Sequence, residues 1–189
     1  MDGSRKGNDN MANICSFSMC VKGTHDNIEN FYNAMSQNGN IYMGRGADAE
    51  IRYEDEEGRA FIDGWCKWSI KSAMIDNAIS MRTEPNIWSF GDVDASTLEF
   101  ITLLEACERW YLTVEVYSEE CGCCFQEHYI IENKDLLCDD CVEWNEYCLD
   151  DYETKEEAEQ ELGIEITDEE WNEGGFISRG GFEEWAFEI

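Results

Sequence analysis

Two pairs of closely spaced cysteines are the residues whose type and spacing most directly indicate chemistry. Cys121-x-x-Cys124 is followed, after 13 residues, by Cys138-x-x-Cys141. This is the spacing of a structural zinc site with four thiolates, which must meet as a tetrahedron with Zn–S distances of about 2.3 Å. A zinc-binding regulatory module is therefore one hypothesis, and the strands that carry the cysteines decide whether the sulfurs can meet.

The cysteines belong to a predicted β-hairpin. The apolar pattern predicts a strand over 125–131 and a return strand near 136–144. In that register Cys138 lies opposite about residue 129, roughly 16 Å along the strand from Cys124. The hairpin therefore keeps the four sulfurs apart, and we predict thiols, with no metal ligands and no cofactor.

Catalytic groups are not assembled by any other pattern in the sequence. Neither of the two histidines, His25 and His128, has the neighbours of a metal-binding pair. Cys124 and His128 share a predicted strand face but stand about 13 Å apart, too far for a nucleophile and its base. Carboxylate pairs are so numerous that none can be singled out for acid–base chemistry. We therefore predict that the protein is not an enzyme.

Negative charge dominates the composition. Of 189 residues, 43 are Asp or Glu and 13 are Lys or Arg, and the net charge is −30. Residues 112–189 hold 25 acids and three bases, whereas residues 1–111 hold 18 acids and ten bases. Such a surface repels nucleic acid and anionic membranes and attracts basic proteins. We expect a basic nucleic-acid-binding protein as partner, and no direct contact with nucleic acid or membrane.

The beginning of the chain, residues 1–12, has the polar composition of a flexible lead-in. It lacks the apolar core of a signal peptide, and no stretch of the sequence approaches the ~20 apolar residues of a transmembrane helix. We therefore expect a cytoplasmic protein with reduced cysteines.

A predicted helix near residue 155 carries the densest line of charge. Five glutamates between Glu153 and Glu161 place roughly one charge per 2.4 Å along the helix axis, at a rise of ~1.5 Å per residue. One DNA strand carries a charge about every 3.4 Å, so this density can imitate a phosphate backbone. Aromatic residues among acids, such as Trp144, are typical anchors of protein interfaces. The predicted partner-binding residues are Glu119, Glu120, Asp139, Asp140, Glu143, Trp144, Asp150, Asp151, Glu153, Glu156, Glu157 and Glu161.

The elements that position these residues follow from periodicity and capping signals. Alternation predicts a strand over 13–22, and an i, i+3, i+4, i+7 stripe predicts the helix that follows it. A second helix is predicted to begin at the capping box over 96–99, and two later helices at the boxes over 154–157 and 167–170. The segment 182–189 is predicted to be the final strand.

The predicted order of strand, helix, hairpin, helix and strands is that of a ferredoxin-like α+β fold. In this fold an antiparallel sheet carries two helices on one face. We predict a ferredoxin-like domain over 13–150 and an acidic C-terminal α/β extension over 151–189, packed on the same domain.

Four segments also resemble one protein family. MANICSFSMCVKG at 11–23 resembles the first strand, M-x-N-x-C-x-x-x-x-x-V-x-G, of a ferredoxin-like family of uncharacterised proteins from bacterial plasmids and phages. WCKW at 65–68, IWSF at 87–90 and YLTVEVYSEECGCCF at 111–125 are similar to three later segments of that family. The resemblance covers roughly residues 11–150. It implies the fold and a mobile-element origin, and no chemistry.

The leading functional hypothesis follows from the charge. In charge character the chain is similar to DNA-mimicking anti-restriction and anti-CRISPR proteins. We therefore predict a non-enzymatic inhibitor that binds a basic protein such as a CRISPR nuclease through its acidic surface.

Overall fold

A seven-stranded antiparallel sheet organises the molecule. The computed structural model describes residues 14–35, 41, 58–76 and 100–189, together with the backbone of 48–54. The strands are β1 (Ile14–Lys22), β2 (Asp48–Glu54), β3 (Arg59–Lys67), β4 (Thr113–Glu120), β5 (Phe125–Glu132), β6 (Asp135–Cys148) and β7 (Phe176–Gly180). They lie in the order β2-β3-β1-β4-β5-β6-β7, with every neighbouring pair antiparallel.

The helices are short. They are α1 (His25–Met35), α2 (Leu103–Trp110), α3 (Lys155–Leu162) and α4 (Asp168–Glu173), with a π-helical turn at Lys71–Asp76 and a 3₁₀ turn at Leu149–Asp151. The predicted α+β class with an antiparallel sheet is therefore confirmed.

The main core lies between one face of the sheet and the helices α1 and α2. Alternate residues of β1 are at most 2% exposed, which confirms the predicted half-buried strand. α1 buries the predicted apolar stripe on the same side of the sheet. The cluster includes Cys15, Phe17, Met19 and Val21 from β1, Ile28, Phe31 and Met35 from α1, and Leu103, Ala106 and Cys107 from α2.

A second, smaller core holds the acidic C-terminal part of the chain together. Leu149, Ala158, Ile166 and Ile177 are its buried members. The helices around it begin at the predicted caps: the Thr154 hydroxyl accepts the Glu157 N–H at 3.2 Å, and Thr167 forms a reciprocal capping box with Glu170. Capping satisfies amides that have no partner inside a helix, which matters most for helices of only two turns.

The start of α2 differs from the prediction. Thr102 is the N-cap, since its hydroxyl accepts the Glu105 N–H at 3.1 Å and the Glu105 carboxylate accepts the Thr102 N–H at 2.8 Å. Phe100 and Ile101 precede the helix, and Ile101 forms an isolated bridge with Ile41. The box predicted over 96–99 lies outside the described residues. A second Thr-x-x-Glu pattern closer to the apolar stripe is the one that the helix uses.

The end of the chain also differs from the prediction. The last strand is β7, and the segment 182–189, which the sequence predicts as a strand, lies across the sheet face opposite the main core. Gly180 and Gly181 both have φ of 77°, a left-handed conformation that glycine adopts without a steric penalty. These two residues turn the chain away from the edge of the sheet and onto its face.

The pairing of β5 with β6 contains a β-bulge between Ile130 and Ile131. Beyond the bulge Cys138 pairs with Ile130 and Asp140 pairs with His128, one position away from the predicted register. A one-residue shift moves a side chain to the other face of a sheet. The bulge therefore places Cys138 and Asp140 on the same face as His128, opposite the main core.

Candidate functional site

Most of the predicted partner-binding carboxylates are exposed, along β6 and α3. β7 pairs with β6 only from Trp144 onward, and over 135–142 the outer edge of β6 has no strand partner among the described residues. Charged side chains are a common means of keeping such an edge from pairing with other chains. The exposed members are Asp139, Asp140, Glu143, Asp150, Asp151, Glu153, Glu156, Glu157 and Glu161, and Glu119 is half-buried.

Two of the predicted residues are buried. Glu120 is 3% exposed, and its carboxylate accepts the backbone N–H groups of Gly122 and Cys123 in the β4–β5 turn. Trp144 is 8% exposed and packs beside Gly181. A carboxylate that caps a tight turn and a large ring at a strand junction contribute to stability, so neither belongs to the accessible surface.

A third predicted residue, Asp139, is partly neutralised. The Lys71 ammonium lies 3.1 Å from its carboxylate, and this contact raises the pKa of Lys71. Asp139 therefore offers less net charge than its neighbours on β6.

The few cations of the C-terminal part are already engaged. Lys134 pairs with Glu108 at 2.9 Å, Lys155 with Asp168 at 2.6 Å, and Arg179 with Glu170 at 2.9 Å. None of these acids belongs to the predicted partner-binding set. The exposed carboxylates of β6 and α3 consequently have no basic residue of residues 112–189 left to neutralise them.

The two cysteine pairs do not meet. Cys121 and Cys124 lie in the β4–β5 turn, whereas Cys138 pairs with Ile130, six residues along β5 from Cys124 and hence roughly 20 Å away. Cys141 pairs with Glu127 and lies on the opposite sheet face from Cys138. The four-thiolate arrangement is therefore not present in the fold, as the hairpin geometry predicts.

Cys138 instead meets a histidine. Its Sγ lies 3.5 Å from His128 Nδ1 and 3.2 Å from a carboxylate oxygen of Asp140. His128 is half-buried, and its ring stacks on Tyr117 at a centroid distance of 4.0 Å. The sequence prediction that His128 lacks metal-ligating neighbours is wrong, because it rests on a register without the bulge.

The other nitrogen of His128 contacts a fully buried acid. Nε2 lies 2.9 Å from Oε1 of Glu115, which is 0% exposed. The second oxygen of Glu115 accepts the backbone N–H groups of Glu188 at 2.6 Å and Ile189 at 3.3 Å. Glu115 therefore orients the imidazole and also fastens the C-terminal segment to the sheet. Sequence reasoning missed this residue, since alternation alone marks it only as the polar face of β4.

A cysteine beside a histidine and a carboxylate has the connectivity of a nucleophilic triad, but its ionisation does not fit. Burial, followed by the Asp140 carboxylate, raises the pKa of Cys138 to about 11. The thiolate is the reactive form of cysteine, and reactive cysteines have a lowered pKa. The raised pKa of Cys138 is therefore the opposite of what nucleophilic catalysis requires.

Comparison of the chain with protein-family models, with curated proteins and with solved structures gave no match. Within the part of the chain that the structure describes, no helix is long and apolar enough to cross a membrane.

Proposed function

We propose that this chain is a non-enzymatic inhibitor that binds a basic nucleic-acid-binding protein through an acidic surface. We define the acidic surface by its exposed carboxylates Asp140, Glu143, Asp150, Asp151, Glu153, Glu156, Glu157 and Glu161. The observation that carries the proposal is that the cations of residues 112–189 pair with acids outside this surface. The negative charge of the acidic surface is therefore available for a partner to neutralise.

The placement of charge on α3 supports the same conclusion. Glu156 and Glu157 lie in the first turn, where carboxylates favour the helix dipole, but the last turn contains Glu161 and no basic residue. A carboxylate at a helix C-terminus is unfavourable by a few tenths of a kcal/mol. Stability of the helix therefore does not account for Glu161, whereas recognition of a basic groove does.

The proposal extends to the type of fold and to the target protein. We propose a ferredoxin-like unit built from β1, α1, β2, β3, α2 and β4, to which β5, β6 and β7 add three strands; the element order supports this assignment. All ten cysteines are thiols, which suits a reducing cytoplasm. We propose a phage or mobile-element origin and, as the target, a CRISPR nuclease or a similar enzyme whose Lys/Arg-lined groove holds nucleic acid.

The test is a binding assay against a CRISPR nuclease over a range of ionic strength, with duplex DNA as competitor. We expect binding that weakens with salt and that DNA displaces. The variant Glu153→Gln/Glu156→Gln/Glu157→Gln/Glu161→Gln removes four carboxylates while keeping oxygen acceptors for the cap of α3. At ~0.2–1 kcal/mol for each exposed charge contact, the four changes together should lower affinity by a factor between roughly 4 and 800.

A matched control neutralises four exposed acids elsewhere: Asp26→Asn/Glu29→Gln/Asp76→Asn/Glu132→Gln. Both variants change the net charge by the same amount, so a general electrostatic effect would weaken both equally. Equal affinities of the two variants, or tight binding that is indifferent to salt, would refute an acidic surface that acts as a nucleic-acid mimic.

A further inference from the structure

Three side chains of different chemistry converge on the sheet face opposite the main core. The Nδ1 atom of His128, the Sγ of Cys138 and a carboxylate oxygen of Asp140 all lie within 4.8 Å of one another. The pairing of Asp140 with His128 and of Cys138 with Ile130 brings them to adjacent positions on β5 and β6. The acidic surface of the proposed function does not account for a histidine and a cysteine at this place.

The distances match those between ligands of one metal ion. Two ligands on a tetrahedral zinc, at ~2.3 Å for sulfur and ~2.0–2.2 Å for nitrogen or oxygen, stand about 3.5 Å apart. Sγ of Cys138 is 3.5 Å from Nδ1 of His128 and 3.2 Å from Oδ2 of Asp140. Both sulfur distances are therefore within a few tenths of an ångström of the value for ligands of one ion, and the histidine and carboxylate atoms lie within 4.8 Å of each other.

We propose that His128, Cys138 and Asp140 form a three-ligand site for zinc, with its fourth position open to solvent. The ligand types determine the class of cation, because a thiolate and an imidazole favour zinc or cobalt over magnesium and calcium, which prefer oxygen ligands. Asp140 is exposed and the other two side chains are half-buried, so the ion can reach the site from solvent.

Glu115 acts as a positioning residue for this site. Its carboxylate accepts a hydrogen bond from Nε2 of His128 at 2.9 Å, and in the neutral ring this leaves the lone pair on Nδ1, the atom that faces Cys138. Metal-binding histidines commonly donate their second N–H to a carboxylate in this way, which fixes the tautomer and the ring orientation. Stacking of Tyr117 on the ring restricts it further.

Cobalt(II) is the probe for the experiment, because a thiolate–cobalt bond gives a charge-transfer absorption that reports the sulfur directly. We expect the full-length protein, purified without added metal and kept reduced, to bind one equivalent and to develop this band. Cys138→Ser should abolish the band, and Asp140→Asn should weaken cobalt binding by more than the 10- to 100-fold typical of losing an outer-shell partner. Glu115→Gln should weaken binding by that smaller factor and keep the band.

The neighbouring residues provide the controls. Cys141→Ser and Asp139→Asn change the same residue types on the opposite sheet face, and Cys121→Ser/Cys124→Ser removes two thiols of the β4–β5 turn. All three should retain the band and the affinity. Circular dichroism confirms that each variant is folded. A band that persists in Cys138→Ser, that disappears in Cys121→Ser/Cys124→Ser, or that never forms would overturn the proposal.

Discussion

Replacing Glu127 should lower the free energy of unfolding more than any substitution on the acidic surface. Glu127 is 4% exposed, and its carboxylate accepts hydrogen bonds from the Ile70 N–H at 2.9 Å, the Ser118 hydroxyl at 2.9 Å and the Tyr129 hydroxyl at 2.8 Å. These donors come from β4, from β5 and from the segment after β3. One side chain therefore joins three parts of the main core.

The cost of Glu127→Ala follows from the donors that it leaves without an acceptor. Each unsatisfied buried donor costs about 1–3 kcal/mol. The backbone N–H of Ile70 cannot reorient toward another acceptor, whereas the two hydroxyls partly can. Removing Glu127 also removes the cost of burying its carboxylate, which offsets part of the loss. We expect the free energy of unfolding to fall by about 4 kcal/mol. Glu127→Gln keeps one oxygen acceptor and should cost only about 1 kcal/mol.

The assay is urea denaturation of the purified protein, followed by circular dichroism and tryptophan fluorescence. A double-mutant cycle with Tyr129→Phe isolates one of the three contacts. Burial, followed by the Glu127 carboxylate, raises the pKa of Tyr129, so its hydroxyl stays protonated and donates. Removing that hydroxyl should destabilise the native chain by about 1–2 kcal/mol, and should be neutral or stabilising when Glu127 is already alanine.

Three results would refute this reasoning. One is a Glu127→Ala variant within about 1 kcal/mol of the native protein, which would mean that its donors find other partners or water. Another is a cycle with no coupling, which would mean that the bond between Glu127 and Tyr129 contributes nothing to stability. Similar costs for the alanine and glutamine variants would likewise place the effect in packing instead of hydrogen bonding.

In urea denaturation Gly180→Ala should lower the free energy of unfolding clearly more than Gly163→Ala. Both glycines have positive φ (77° and 69°), but only a Cβ at Gly180 would overlap a backbone carbonyl. Gly163→Ala should cost about 1 kcal/mol, and equal costs for the two variants would refute this difference. Arg179→Gln should destabilise at neutral pH but not near pH 2. The Arg179 guanidinium lowers the pKa of Glu170 to about 2. The ion pair therefore stabilises the folded chain fully above about pH 4.5, the pKa of Glu170 in the unfolded chain, and this stabilisation is lost as the pH falls from there to 2. A difference in urea midpoint between the two proteins that does not change with pH would contradict this. Maleimide labelling read by mass spectrometry should modify the exposed cysteines of the native protein and spare Cys107, whose pKa burial raises to about 12, until denaturant is added. Native-state labelling of Cys107 at a similar rate would show that this part of the core opens readily.

Elements with short-range signals could be predicted from the sequence. β1 follows from alternation, α1 from its apolar stripe, and α3 and α4 from Thr-x-x-Glu boxes that the structure uses as caps. Each signal relates residues no more than seven positions apart. Local sterics and hydrogen bonding decide such features before any tertiary contact forms.

The cluster of His128, Cys138 and Asp140 could not be predicted, because it depends on a single bulge. Without the bulge between Ile130 and Ile131, Cys138 would lie on the core face with Tyr129, away from His128. No residue type marks the bulge in the sequence. The strand β7 escaped prediction for a similar reason, since its pairing with β6, and not a local signal, decides which segment near the end of the chain is a strand.

The carboxylates of residues 112–189 include two groups that contribute differently to the stability of the fold. Glu115, Glu120 and Glu127 are buried and accept hydrogen bonds from two or three donors each. The side chains of Glu143 and Glu161 are exposed and, among the described residues, make no hydrogen bond or salt bridge. Truncating the first group to alanine should destabilise the protein strongly, whereas neutralising the second relieves repulsion at no structural cost. The two groups therefore allow the proposed binding and the folding of the chain to be perturbed separately.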